Sequence, residues 1–244
     1  EILSWTLMWA LFATFSNYFL GMFVAIMINK KGIRIKKFWR TVLVMTIAIP
    51  QFVSLLYVSK LFDSSGIIGK LLGQIPFINN YLTTNHFISL WDSPTVAKVL
   101  LIVINIWVGI PYVMLMATGI LMNIPADLYE SAQIDGANGA QQFTKITLPY
   151  MLFVTGPYLL TSFVGNLNNF NVIFLLTGGG PESLDYYYAG KTDLLVTWLY
   201  RLTITQKDYN LGSVIGILTF IILAVVSLIT FRNTASYKDE GAFQ

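Results

Sequence analysis

Asn166 and Asn169 sit in a stretch, residues 146–181, that contains no Asp, Glu, Lys or Arg. A carboxamide donates and accepts hydrogen bonds without carrying charge. Two such groups in an apolar setting suit an uncharged ligand rich in hydroxyls. Ser162, Asn166 and Asn169 fall at i, i+4 and i+7, which is one face of a helix. Asn105, Gly109 and Tyr112 repeat that spacing in an earlier apolar stretch, and Gln51 follows Pro50 in another. A tyrosine ring offers its apolar face to the C–H surface of such a ligand. Polar side chains at membrane depth face a bundle interior or a cavity. The same pattern also serves hydrogen bonding between helices, and that is the reading for Asn168 and Asn171, on other faces. A phosphorylated ligand would call for Arg or Lys, and these stretches hold neither.

A second constellation is polar and charged. Glu130, Ser131, Ala132, Asp135 and Gly136, followed by Ile146, Leu148 and Pro149, interrupt two long uncharged runs. Pro125 and Asp127 suit a helix start, with proline early and an acid in the first turn. Residues 128–135 are expected to form one short helix. Gly136 permits a sharp turn, and a second helix follows to about Lys145. Leu148 and Pro149 are expected to break it before the next span. Such a helix–turn–helix is a rigid knob able to seat in a groove. The plainer alternatives are an amphipathic connector and, for Asp135, a solvated or capping carboxylate.

Other chemistry is excluded by composition. The chain has no cysteine and one histidine, His86, so a His/Cys metal site and thiol chemistry are ruled out. No Gly-rich loop carries the lysine of a nucleotide-binding turn. Gly178, Gly179, Gly180 and Pro181 read as an external turn instead. The chain therefore hydrolyses no ATP by itself. The net charge is only +3, and nothing points to nucleic acid.

The elements that must position these residues are membrane spans. Hydrophobic residues make up 55% and charged residues 11%, against about 25% charged in soluble domains. Charges are absent from residues 2–29, 41–59, 99–126, 146–181 and 209–231. About 20 apolar residues cross a bilayer as a helix, and helices satisfy their own backbone there. The predicted spans are about 3–28, 41–61, 96–121, 151–175 and 209–231. Lys30, Lys31, Arg34, Lys36, Lys37 and Arg40 crowd one short loop, which places it in the cytoplasm. Residues 62–95 and 176–208 are then external, and 122–150 and the tail with Arg232 and Lys238 cytoplasmic. One short interfacial helix is expected in 62–95 and another at about 192–203. The chain starts at Glu1 and is apolar almost at once, so at least one further span is expected before it.

The spacing from Glu130 to Pro149 resembles the EAA loop of ABC importer permeases, the part that docks on a cytosolic ATPase. The resemblance makes Glu130, Ser131, Ala132, Asp135, Gly136, Ile146, Leu148 and Pro149 the ATPase-coupling residues of a loop at about 123–149, with Glu130 paired to a basic group. Ser131 replaces the first alanine of the motif, and both are small. Residues 105–112, 166–170, 176–181 and 192–196 are similar to the maltose/maltodextrin type, and the likeness covers nearly the whole chain.

That type implies an all-α fold, a polytopic transmembrane helix bundle of the type I ABC importer kind, as a single domain over 1–244. It implies a permease subunit for oligosaccharides of the maltodextrin type, not an enzyme, in a bacterial cytoplasmic (inner) membrane, with a cytoplasmic C-terminus. Its partners would be a second permease in a heterodimer, a cytosolic ABC ATPase dimer carrying ATP and Mg, a periplasmic or extracellular sugar-binding protein, and membrane lipid. No cofactor is expected in this chain. Substrate contacts map to Gln51, Gly109, Tyr112, Ser162, Gly165, Asn166 and Asn169. Gly165 stands where the family has an aromatic and Gln51 where it has serine. No room exists between 29 and 94 for the large extracytoplasmic domain of the enteric subunit. Two other readings stay open: a permease for another neutral or phosphorylated solute such as glycerol phosphate, and a channel or scaffold that moves nothing by ATP.

Overall fold

The computed structural model describes residues 1–30 and 34–232. Lys31 and Lys238, used above for orientation, lie outside them. Among the described residues the chain is helical, with no strand and one isolated bridge between Glu182 and Gly190. The elements are α1 (Ile2–Asn29), α2 (Lys36–Ala48), α3 (Gln51–Phe62), α4 (Ile67–Gly73), α5 (Pro76–Thr84), α6 (Pro94–Met122), α7 (Ala126–Ile134), α8 (Gly139–Gln142), α9 (Leu148–Leu167), α10 (Phe170–Thr177), α11 (Leu195–Tyr200) and α12 (Tyr209–Arg232).

Among the described residues five helical stretches are long and apolar enough to cross a membrane: Ile2–Asn29, Gln51–Gly73, Pro94–Met122, Gly139–Leu167 and Tyr209–Ile229. Three agree with the sequence to within two residues. The other two depart for local reasons. The predicted span 41–61 is broken, because Pro50 has no N–H and its ring pushes Ile49 out of the helical region. Ile49 is extended at φ −85°, ψ 130°, so α2 ends and α3 begins. The predicted span 151–175 is broken at Asn168 and Asn169, which separate α9 from α10. Residues 62–95, expected to be external, hold α4, α5 and a 3₁₀ turn at Leu90–Asp92 in place of one helix. The helix expected at 192–203 is shorter, because Thr192 and Asp193 are buried ahead of α11 and a π turn, Arg201–Thr205, follows it.

Helix α1 packs along α6. Lipid tails are as apolar as leucine, so close fit drives this contact. Small residues permit it: Ala10, Ala13 and Ala25 on α1 and Ala97 and Ala117 on α6 are fully buried. At Gly21 an added Cβ would come within 2.5 Å of the Val113 Cβ. One core cluster joins Trp5, Trp9 and Leu55 to Leu101 and Ile173, and a second joins Tyr18 and Met22 to Met114 and Met151. The Tyr18 hydroxyl bonds Thr155 Oγ1 at 2.7 Å, linking α1 to α9. Phe12, Phe15, Phe19 and Phe23 stay exposed on the outer face of α1, as lipid contact requires.

After α10 the chain folds back on itself. Lys191 N donates to Pro181 O at 2.8 Å and Thr192 N to Gly179 O at 3.1 Å. Trp5 Nε1 donates to Thr192 O at 3.1 Å and Leu195 N to Thr6 Oγ1 at 3.1 Å, which fastens the fold-back to α1. Asp193 is buried within it. Gly190 N donates to Asp193 Oδ2 at 2.8 Å, and Arg201 Nη2 lies 3.6 Å from the same oxygen.

Burial pushes the Asp193 carboxyl above the usual carboxylate range, against the opposing pull of the Gly190 N–H and Arg201. The folded protein then binds this proton more readily than the unfolded chain. The stabilisation is complete below the unfolded value of about 3.9 and is lost as pH rises through the folded value. Asp193→Asn should therefore flatten part of the fall in melting temperature seen on raising the pH above about 4. Parallel melting curves of both proteins check this, and identical pH slopes would contradict it.

Candidate functional site

The break between α9 and α10 builds the first site. Asn168, at φ −108° and ψ 26°, ends α9, and Asn169 is extended at φ −77°, ψ 96°. Asn169 Oδ1 accepts from Val172 N at 3.2 Å and so caps α10. The shared helix face drawn from sequence is corrected here: Ser162 and Asn166 remain on α9, but Asn169 does not continue it. Capping wins because a short polar side chain competes with the helix for its own backbone. The two amides nevertheless meet, with Asn169 Nδ2 donating to Asn166 Oδ1 at 3.2 Å. Asn166 Nδ2 donates to Thr14 Oγ1 of α1 at 3.0 Å. These bonds also tie α9 to α1, as the bundle reading requires. Both side chains are partly buried and keep spare donor and acceptor capacity. Non-helical backbone at membrane depth is tolerated where it is buried or lines a watery cavity.

The other candidates fall in different surroundings. Gln51 and Tyr112 line one crevice with Thr46, Ser54 and Trp107. Tyr112 is half exposed there. Gly109 is turned toward α1, where an added Cβ would lie 2.2 Å from Asn17 Nδ2. Gly165 is exposed and faces open space. Asn105 is buried, and its Nδ2 has no partner among the described residues. Thr14, the anchor of Asn166, escaped the sequence reading. Its signal was a polar residue deep in an uncharged span.

The second site is the elbow between α7 and α8. Gly136 takes φ +79°. Gly136 N donates to Gln133 O at 3.0 Å and Ala137 N to Ala132 O at 2.8 Å. This is the Schellman end of a helix, with glycine in the left-handed position. Asn138 then opens α8 by a reciprocal cap: Gln141 N donates to its Oδ1 at 3.0 Å, and its own N–H reaches Gln141 Oε1 at 2.8 Å. Glu130, Ser131, Asp135 and Gly136 are exposed, while Ala132, Ile146 and Leu148 are partly covered.

Leu148 and Pro149 do not break the second helix as expected. A π turn, Phe143–Thr147, joins α8 to α9, and Leu148 N donates to Phe143 O, five residues back. The wider turn accommodates a proline that cannot donate to the preceding turn. The Tyr129 hydroxyl bonds Thr147 Oγ1 at 2.8 Å and locks α7 to the start of α9. Ile134 is 87% exposed, an apolar tip on an otherwise polar knob. Tyr129, Thr147 and Ile134 carry no motif or spacing in the sequence that marks them.

The family of binding-protein-dependent transport system inner membrane components matches residues 17–235. The chain belongs to that family. It is 37% identical over 246 residues to the galactooligosaccharides transport system permease protein GanP of Bacillus subtilis, covering 99% of this chain and 56% of that protein. It is 37% identical to the maltodextrin transport system permease protein MalC of Streptococcus pneumoniae, covering 98% of this chain and 55% of that one. It is 34% identical to the maltose/maltodextrin transport system permease protein MalF of Escherichia coli, covering 98% and 46%. The chain thus spans about half the length of these relatives. A solved bacterial ABC transporter involved in import of the acidic polysaccharide alginate shares the fold, with a TM-score of 0.76 at 23% identity over 95% of this chain and 77% of that one.

Proposed function

We propose that the chain is a permease subunit of an ATP-driven importer of neutral oligosaccharides, of the maltodextrin type. The observation that carries this reading is the hydrogen-bonded pair Asn166 and Asn169 at a break between apolar helices. The break lies at the end of α9, the helix whose other end is locked to the α7 elbow through Thr147. Movement of the elbow would reach the amides along α9. The relatives named for galactooligosaccharide and maltodextrin transport support a sugar cargo. Gln51, Gly109, Tyr112, Ser162 and Gly165 are proposed as further lining of the path, within one transmembrane domain over 1–244.

The elbow residues Glu130, Ser131, Ala132, Asp135 and Gly136, with Ile146, Leu148 and Pro149 behind them, dock on a cytosolic ATPase dimer. That dimer supplies ATP and Mg, while this chain forms part of the transport path and carries out no catalysis. A second permease completes the path, and a sugar-binding protein delivers cargo from outside. The C-terminus is cytoplasmic. Reconstitution of the complete transporter in proteoliposomes tests this. ATP-dependent uptake of maltodextrins is expected, and uptake restricted to phosphorylated solutes would overturn the reading.

A further inference from the structure

The external part of the chain holds a cavity of about 810 Å³ that the amide site does not use. Its size falls among small-molecule sites, about 300–1,000 Å³. Phe174, Tyr187, Tyr188 and Tyr200 line it together with Glu182, Arg201 and Gln206. By contrast, the groove beside α3 and α6 is lined almost wholly by apolar side chains such as Val53, Leu61 and Val103. The mixed lining of the external cavity suits a ligand with both C–H faces and hydroxyls.

The tyrosines are held in place although they are exposed. Tyr188 has φ +51°, a left-handed conformation costly for a bulky residue and frequent at ligand clamps. Its ring meets Tyr187 edge-on at 4.6 Å. Trp198 Nε1 holds Tyr187 O at 2.8 Å, and the Tyr187 hydroxyl donates to Asp208 Oδ2 at 3.3 Å. Preorganised rings lose little freedom when they bind. The aromatic wall also continues toward the amides. Phe174 stacks on Phe170 at 4.7 Å, and Tyr200 meets the two rings at 5.2 and 4.9 Å. Phe170 directly follows Asn169.

We propose that this cavity is an outer holding site for a neutral oligosaccharide chain. Sugar rings stack on Tyr187, Tyr188 and Tyr200, while Glu182 and Gln206 bond hydroxyls. The far end of a long chain rests here as its leading end reaches Asn166 and Asn169. A disaccharide fills only one of the two sites. This deepens the proposed function and rests on it.

The test compares uptake of a labelled disaccharide and a long linear maltodextrin by the reconstituted full transporter. Tyr188→Asn removes the ring but keeps a residue type that tolerates the left-handed backbone. It should lower long-chain uptake several-fold and leave disaccharide uptake near the parent level. Tyr188→Phe keeps the stacking face and should behave as the parent. Unchanged uptake of both sugars in Tyr188→Asn would overturn the holding site. Equal loss of both, with weaker stimulation of ATP hydrolysis by the binding protein, would show that a protein surface docks there instead. A parent that moves neither sugar would sink the proposed function itself, and the two failures are thereby told apart.

Discussion

Gly136→Pro should uncouple the transporter while leaving the chain inserted and folded. Gly136 sits at φ +79°, and proline is locked near −65°. The substitution also deletes the N–H that reaches Gln133 O at 3.0 Å. Nothing lies within 4 Å of a Cβ at this position, so the effect is on backbone direction, not packing. The Schellman end unwinds, and α7 and α8 no longer present Glu130 and Ile134 at a fixed angle. A misfit of about 1–3 kcal/mol in the docked state corresponds to roughly fivefold to a hundredfold in the docked population at 1.4 kcal/mol per decade. Gly136→Asn, which tolerates the left-handed region, should keep most activity. Co-purification with the ATPase and uptake in vesicles are the readouts. Parent-like uptake by Gly136→Pro would reduce the elbow to a connector.

Gly179→Ala should strongly destabilise the fold-back that follows α10. Gly179 has φ +87°, and an added Cβ would lie 2.0 Å from Asp193 Oδ1 and 2.4 Å from its Cγ. Asp193 cannot retreat, being buried against Gly190 N and close to Arg201. Left-handed strain of about 1–3 kcal/mol adds to the loss of a charged hydrogen bond of about 1.5–3 kcal/mol. The expected result is a large drop in melting temperature and in yield of monodisperse protein. Gly178→Ala, also left-handed but facing open space, should cost less. Equal melting temperatures for Gly179→Ala and the parent would contradict the burial of Asp193 against this turn.

Much of this architecture was legible in the chain because the bilayer simplifies the code. The charge-free runs around Trp9, Ile104 and Val214 gave their spans nearly to the residue. Interruptions were harder to read. Pro50 was visible, yet apolar residues on both sides masked the break it makes. Asn168 and Asn169 read as polar marks on a continuous helix, although an asparagine amide can equally well turn back to cap the next one. Pro149 misled in the opposite direction, since a π turn absorbed it without ending the helix. The elbow was legible through Gly136, whose type is dictated by backbone geometry. Long-range pairings such as Tyr129 to Thr147 and Asn17 to Gly109 had no local signature, because the fold alone brings them together; Thr14 was marked as polar within an uncharged span, but its pairing with Asn166 was not.

The central claim is that the amides at the α9–α10 break handle the cargo. Asn166→Ala removes one member of the hydrogen-bonded pair, and Asn168→Ala alters an exposed neighbour that ends α9 without joining the pair. Each lost sugar hydrogen bond is worth on the order of 1 kcal/mol, and more where a buried partner is left unpaired. Uptake of labelled maltodextrin at matched protein levels should fall several-fold for Asn166→Ala and much less for Asn168→Ala, with binding-protein-stimulated ATP hydrolysis largely retained in both. Equal uptake in the two variants and the parent, or a larger loss for Asn168→Ala, would show that the pair only packs the bundle.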